Sequence, residues 1–140
     1  MPDGADEGKI ILVVDDHRDM VLATRIFLEL HGYEILEAYD GVQALDVLAS
    51  SKPDLVILDV MMPRMDGWAA LRAIRADERF KALPVMMLTA LSDPRSIVTG
   101  LDLDATWYYT KPVTDWADFG LVVSRILEGL EPPAGPLEDW

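Results

Sequence analysis

The stretch Asp54-Leu55-Val56-Ile57-Leu58-Asp59-Val60-Met61-Met62-Pro63-Arg64-Met65-Asp66-Gly67 decides the fold. Leu55 to Leu58 is an unbroken apolar run of strand length. It leaves no polar face for water, so it reads as a strand covered on both sides, which is the habit of parallel sheets. An aspartate follows at once, then a loop, and from Gly67 a helix runs to about Ala76. Working outward, Ile10 to Val14 and Val85 to Leu88 are runs of the same kind, and Tyr33 to Ala38 and Trp107 to Tyr109 are two weaker ones. Amphipathic segments fill the gaps. Asp19 to Leu30 ends at His31-Gly32, a glycine suited to the left-handed position after a helix; Asp40 can cap a second helix to about Ala49. Asp93-Pro94 reads as an N-cap followed by proline at the first helical position, and Thr114 can cap a last helix through Leu130. The order is βα repeated five times, which predicts an α/β fold with a doubly wound parallel sheet and five helices.

The 140 residues suit one domain: residues 1–8 as a disordered segment, 9–130 as the folded unit and 131–140 as a Pro-rich tail. The chain contains no cysteine, which excludes disulfide scaffolds, thiolate metal sites and thiol nucleophiles. Lys and Arg number 12 against 25 Asp and Glu, a formal charge of −13. Such a surface disfavours direct contact with nucleic acid or an anionic membrane. No targeting signal or span is evident, so a cytoplasmic location is expected.

In open parallel sheets, sites form outside the carboxyl ends of the strands. Asp15 and Asp16 follow the first strand, Asp59 the third, Thr89 and Ala90 the fourth, and Lys111 and Pro112 the fifth. Singly, each has an ordinary reading as a cap, turn or surface residue. Jointly they put three carboxylates, a hydroxyl and an ammonium at one rim. Crowded carboxylates repel unless one takes a proton or a cation sits among them. Oxygen ligands with few carboxylates suit Mg2+, with Mn2+ as the alternative, and a metal plus Lys111 would neutralise an incoming phosphoryl group, leaving one aspartate free to attack it.

These residues resemble the receiver domains of two-component response regulators over about residues 9 to 130. The resemblance rests on Leu12-Val13-Val14-Asp15-Asp16, the long central stretch, Leu88-Thr89-Ala90 and Tyr108-Tyr109-Thr110-Lys111-Pro112. It implies the flavodoxin-like strand order 2-1-3-4-5. It implies Asp59 as phosphoacceptor, served by a histidine kinase or a histidine phosphotransfer protein. Asp16, Asp59 and the backbone carbonyl of Met61 would ligate the metal, with Asp15 acting through a water. Thr89 and Lys111 would hold the phosphoryl oxygens, Ala90 would leave room for entry, Tyr108 would change rotamer, and the Lys111-Pro112 peptide would be cis. Such a chain, a stand-alone receiver, is not an enzyme beyond its own phosphorylation and slow autodephosphorylation, the slowness being read from apolar Met61 and Leu91.

Two other classes compete. A haloacid dehalogenase-like phosphatase also uses a strand-end aspartate, magnesium and a lysine, but expects a second aspartate where Met61 stands. A receiver-like scaffold that is never phosphorylated would not need the complete residue set. Dinucleotide binding lacks its glycine fingerprint after the first strand.

Partner surfaces are expected in two places. Ala23 and Phe27 are taken to face the sheet, leaving Leu22, Ile26 and Leu30 as a second apolar stripe that, with Met20 and Val113, would meet the kinase. Trp107 and Trp116 flank the Lys111 loop, and Asp104 stands where a glycine is common in the family. They mark either local packing or contact with an unknown downstream protein or a second copy in a homodimer. His17, beside the acid pair, is read as an exposed loop residue.

Overall fold

The computed structural model describes residues 8–90 and 105–130 of the chain. Five strands, β1 (Ile10–Val14), β2 (Glu34–Ala38), β3 (Leu55–Asp59), β4 (Val85–Ala90) and β5 (Trp107–Lys111), form one sheet in the order β2-β1-β3-β4-β5. All four pairings are parallel. The described helices are α1 (Arg18–Leu30), α2 (Gly41–Ser50), α3 (Gly67–Ala76) and α4 (Trp116–Leu127), with a 3-10 turn at Glu78–Phe80. The helix expected from Asp93-Pro94, together with Leu91, Asp104 and the Pro-rich tail, lies outside the described residues.

The period of two along each strand divides the core. Leu12, Val14, Val56, Leu58, Val85, Met87 and Tyr108 pack with Ala44 and Leu48 of α2 and Ala70, Leu71 and Ile74 of α3. The alternate residues Ile11, Val13, Leu55, Ile57, Met86 and Leu88 pack with Val21 and Leu28 of α1 and Phe119, Val122, Val123 and Ile126 of α4. Helices therefore cover both faces, and β1, β3 and β4 are apolar up to their carboxyl-end residues because neither face meets water.

Several boundaries differ from expectation. Asp59, Ala90 and Lys111 end their strands instead of following them, so the sheet ladder itself carries the polar residues of the rim. The cap of α4 is Asp115, whose side chain accepts from the Asp118 N–H; Thr114 lies one residue too early to reach it. The helix stops at Leu127, since Gly129 takes a positive φ of 74° and turns the chain before Leu130. The Gly8 N–H donates to the Gly32 carbonyl at 3.0 Å. On α1 the buried residues are Val21, Thr24 and Leu28; Ala23 is exposed and Phe27 half-buried. Of the expected inward pair, Phe27 packs against the core and Ala23 does not, because a polar residue, Thr24, occupies the middle of the inward stripe. Asp40 caps α2 as expected, and Gly32, at φ 91°, ends the turn after α1.

Candidate functional site

Asp15, Asp16, Asp59, Thr89 and Lys111 are brought together by topology alone. β1 and β3 are neighbours and place the acidic residues side by side, while β4 and β5 pair Thr89 with Thr110 and Ala90 with Lys111 at the same edge. Asp15 is 1% exposed and Asp59 2%; Thr89 is equally buried, and Asp16 is partly open. The Lys111 Nζ donates to Asp59 Oδ1 at 2.9 Å and reaches Asp15 Oδ2 at 3.4 Å, so one cation bridges the two buried carboxylates. The Lys111-Pro112 peptide is cis.

One lysine does not saturate this set. Ligand atoms of Asp15, Asp16, His17 and Asp59 all lie within 4.8 Å of one another. Asp59 Oδ2 and Asp16 Oδ1 are sealed from solvent and accept no hydrogen bond among the described residues, the His17 Nδ1 standing 3.4 Å from the second. Buried carboxylate oxygens without donors are costly, and a hard divalent cation with oxygen ligands would satisfy both. The donor set fits such an ion.

Electrostatics follows from the same crowding. Burial pushes the Asp59 carboxyl up to about 6; the hydrogen bond and charge of Lys111 pull it down, and the charges of Asp15 and Asp16 push it further up. At about 6 it remains largely ionised at neutral pH. Burial alone would lower the Lys111 ammonium, but the hydrogen bond and charge of Asp59, together with Asp15, outweigh it and raise the group.

His17 is closer to the acidic set than its sequence position implied. Its backbone N–H donates to Asp15 Oδ1 at 3.0 Å, and its exposed ring Nδ1 lies 3.2 Å from Asp15 Oδ1 and 3.4 Å from Asp16 Oδ1. Tyr108 is buried, with its ring 6.5 Å from that of Trp68 on α3, a contact the sequence did not signal. Met61 is 74% exposed, so its side chain is not part of the core. A separate concavity of about 660 Å³ between residues 48–53 and 78–83 lies at the opposite, amino ends of β3 and β4 and includes none of these residues.

Of the expected partner residues, Leu22, Ile26 and Leu30 are exposed on α1 and Met20 is half-buried beside them. Val113, Trp107 and Trp116 are half-buried against the core under α1 and α4. Trp116 lies 5.2 Å from Phe27 and 5.5 Å from Phe119, between ring centroids. Local packing thus accounts for much of what the tryptophans do here.

Residues 11–117 match the family model described as the response regulator receiver domain. Over 102 residues, 73% of this chain, the sequence is 45% identical to the response regulator MprA of Mycobacterium avium (strain 104), and the match spans 44% of that relative. The structure is similar to the receiver domain of a signal transduction histidine kinase from Syntrophus aciditrophicus, with a TM-score of 0.82 and 34% identity over 91% of this chain and 96% of that one. It is also similar to the chemotaxis response regulator CheY4 of Vibrio cholerae, with a TM-score of 0.79 and 29% identity over 85% of this chain and 98% of that one. With a family model that matches most of the chain and relatives 45% identical over 73% of it, the chain belongs to the receiver domains of response regulators in two-component signalling.

Proposed function

We propose that the domain takes a phosphoryl group onto Asp59 from a histidine kinase or histidine phosphotransfer protein and passes the signal to a downstream protein through a changed surface. The observation that carries this reading is the convergence of Asp15, Asp16 and Asp59 within 4.8 Å around two buried oxygens that accept no hydrogen bond among the described residues, with Lys111 bridging two of the acids. Asp16, Asp59 and the Met61 carbonyl would hold Mg2+ or Mn2+, with Asp15 acting through a water. The metal would neutralise charge on the phosphoryl oxygens. An Asp59 carboxylate oxygen attacks phosphorus; the new P–O bond makes an acyl phosphate as the donor's P–N bond breaks and its electron pair returns to the imidazole. Lys111 transfers its hydrogen bond from Asp59 Oδ1 to a phosphoryl oxygen, Ala90 leaves room for entry, and the Thr89 hydroxyl turns toward the group. Tyr108, buried against Trp68, then shifts between two states and redistributes the surface populations. The exposed α1 stripe is the surface offered to the kinase. Cytoplasmic location accords with this chemistry, and among the described residues no helix is long and apolar enough to cross a membrane.

The test is intact mass after incubation with acetyl phosphate and Mg2+. The wild type is expected to gain one phosphoryl mass and Asp59→Asn none. No gain in the wild type would favour the scaffold reading, and a gain in both would place the acceptor elsewhere.

Once formed, the acyl phosphate is expected to decay slowly, because the apolar side chains of Met61 and Leu91 cannot hold an attacking water by hydrogen bonds. Phosphoprotein persisting far beyond seconds in the presence of Mg2+ is the expected result; loss within seconds would remove the idea.

A further inference from the structure

The loop between β3 and α3 carries the Met61 carbonyl, and something must fix its path. Its backbone includes a non-glycine residue at positive φ: Arg64, at 64°. That conformation costs about 1 kcal/mol or more for a side chain with a Cβ and persists only where surrounding contacts enforce it. The enforcing contact reaches across 24 residues. Arg64 Nε donates to Asp40 Oδ2 at 2.8 Å, and its Nη2 donates to the same oxygen. Asp40 is buried, and its other oxygen accepts from the Gln43 N–H at 2.8 Å, capping α2. One carboxylate therefore ties a helix N-terminus to the loop. A second tie lies beside it, where the Gly41 N–H donates to the Met65 carbonyl at 3.2 Å. The approach is close: a Cβ on Gly41 would fall 2.7 Å from that carbonyl oxygen.

We propose that Asp40 and Arg64 are positioning residues for the metal and phosphoryl site: their ion pair latches the loop to α2 and thereby sets where the Met61 carbonyl stands relative to Asp59. The proposal rests on the reading of Asp59 as a metal-assisted phosphoacceptor. Neither residue touches the acid cluster, so their effect passes through the backbone. Groups that orient a ligand from outside the coordination shell commonly govern metal affinity about 10–100-fold.

The cap and the latch can be separated. Asp40→Asn keeps a capping oxygen for Gln43 and loses the charge. Arg64→Gly removes the guanidinium and relaxes the backbone strain. Mg2+ affinity by calorimetry is expected to fall about tenfold in each variant, and no further in the double variant, because the two residues act as one unit. Hydrogen exchange at the Gly41 and Gly67 amides is expected to rise about tenfold while the β3 amides stay protected. Arg64→Lys, which keeps the charge but loses the paired Nε and Nη2 contact, should fall between wild type and Arg64→Gly. Mg2+ affinity within about twofold of wild type in both single variants overturns the proposal, even if both are less stable. Should the wild type bind no Mg2+, the phosphoacceptor reading fails, and exchange decides the latch by itself: faster exchange in the variants upholds it and unchanged exchange removes it.

Discussion

Asp59→Asn is expected to abolish phosphoryl uptake and, with no metal present, to make the folded domain more stable at neutral pH. Loss of uptake follows from replacing a carboxylate by an amide that cannot attack phosphorus. The stability gain follows from burial. In the unfolded chain the carboxyl titrates near its ordinary value of 3.8; in the folded domain burial, joined by Asp15 and Asp16, holds it at about 6. The fold therefore binds this proton more tightly than the unfolded chain does. Below about pH 3 both states are protonated and Asp59 imposes no ionisation penalty. As pH rises from about 4 to 6 the unfolded chain releases the proton first, and above 6 the full penalty applies.

The interval between 3.8 and about 6 corresponds to at most about 3 kcal/mol. Residual solvent screening and the lost ion pair with Lys111 reduce the net gain to about 1–2 kcal/mol. Urea unfolding in a chelator at pH 7.5 should show this gain for Asp59→Asn, and at about pH 3 the difference should vanish. Added Mg2+ should reverse the order, since only the wild type retains the full set of carboxylates to bind it. Equal stability at pH 7.5 without metal, or a variant weaker than wild type there, would sink the account.

The same burial explains what the sequence made legible. β1, β3 and β4 lie inside the sheet and are covered on both faces, so their apolar runs are continuous. β2 is an edge strand with exposed Glu34, and β5 continues through half-buried Thr110 into Lys111, so both read weakly. The acids and the lysine were legible because chemistry at strand ends is local in sequence even when the ends are far apart. What escaped was long-range and aperiodic. Asp40 carries the same cap signal whether or not Arg64 is attached, and no pattern marks a residue at positive φ in a loop. The Trp68 contact with Tyr108 needs the crossing of α3 over the sheet. The inward face of α1 was hidden by Thr24, a polar side chain in a buried stripe.

Gly67→Ala is the substitution expected to cost the fold most. Gly67 opens α3 at the point where the helix abuts the end of β3. A Cβ there would lie 2.2 Å from the Asp59 carbonyl oxygen and 2.9 Å from both its carbon and the Val60 Cα. All three are backbone atoms of the ladder, so no side chain can swing aside. The requirement is space, because Gly67 does not occupy the left-handed region. To admit a methyl group, the start of α3 must withdraw from the strand. That stretches the 2.8 Å hydrogen bond from the Gly67 N–H to the Val60 carbonyl and drags Asp66, whose side chain caps the helix on the Ala69 N–H. Overpacking and the lost hydrogen bond together predict a loss of about 3 kcal/mol or more. The effect is expected to reach phosphoryl uptake separately, since the crowded atoms belong to the peptide unit of Asp59. Phosphoryl uptake from acetyl phosphate should fall even under conditions where the variant is fully folded. Gly120→Ala supplies the contrast: its Cβ would meet only the Phe27 ring, at 3.0 Å, which can shift. Urea midpoints should place Gly67→Ala far below Gly120→Ala, and a Gly67→Ala domain within about 1 kcal/mol of wild type would show that the contact between α3 and β3 yields more readily than its backbone geometry allows.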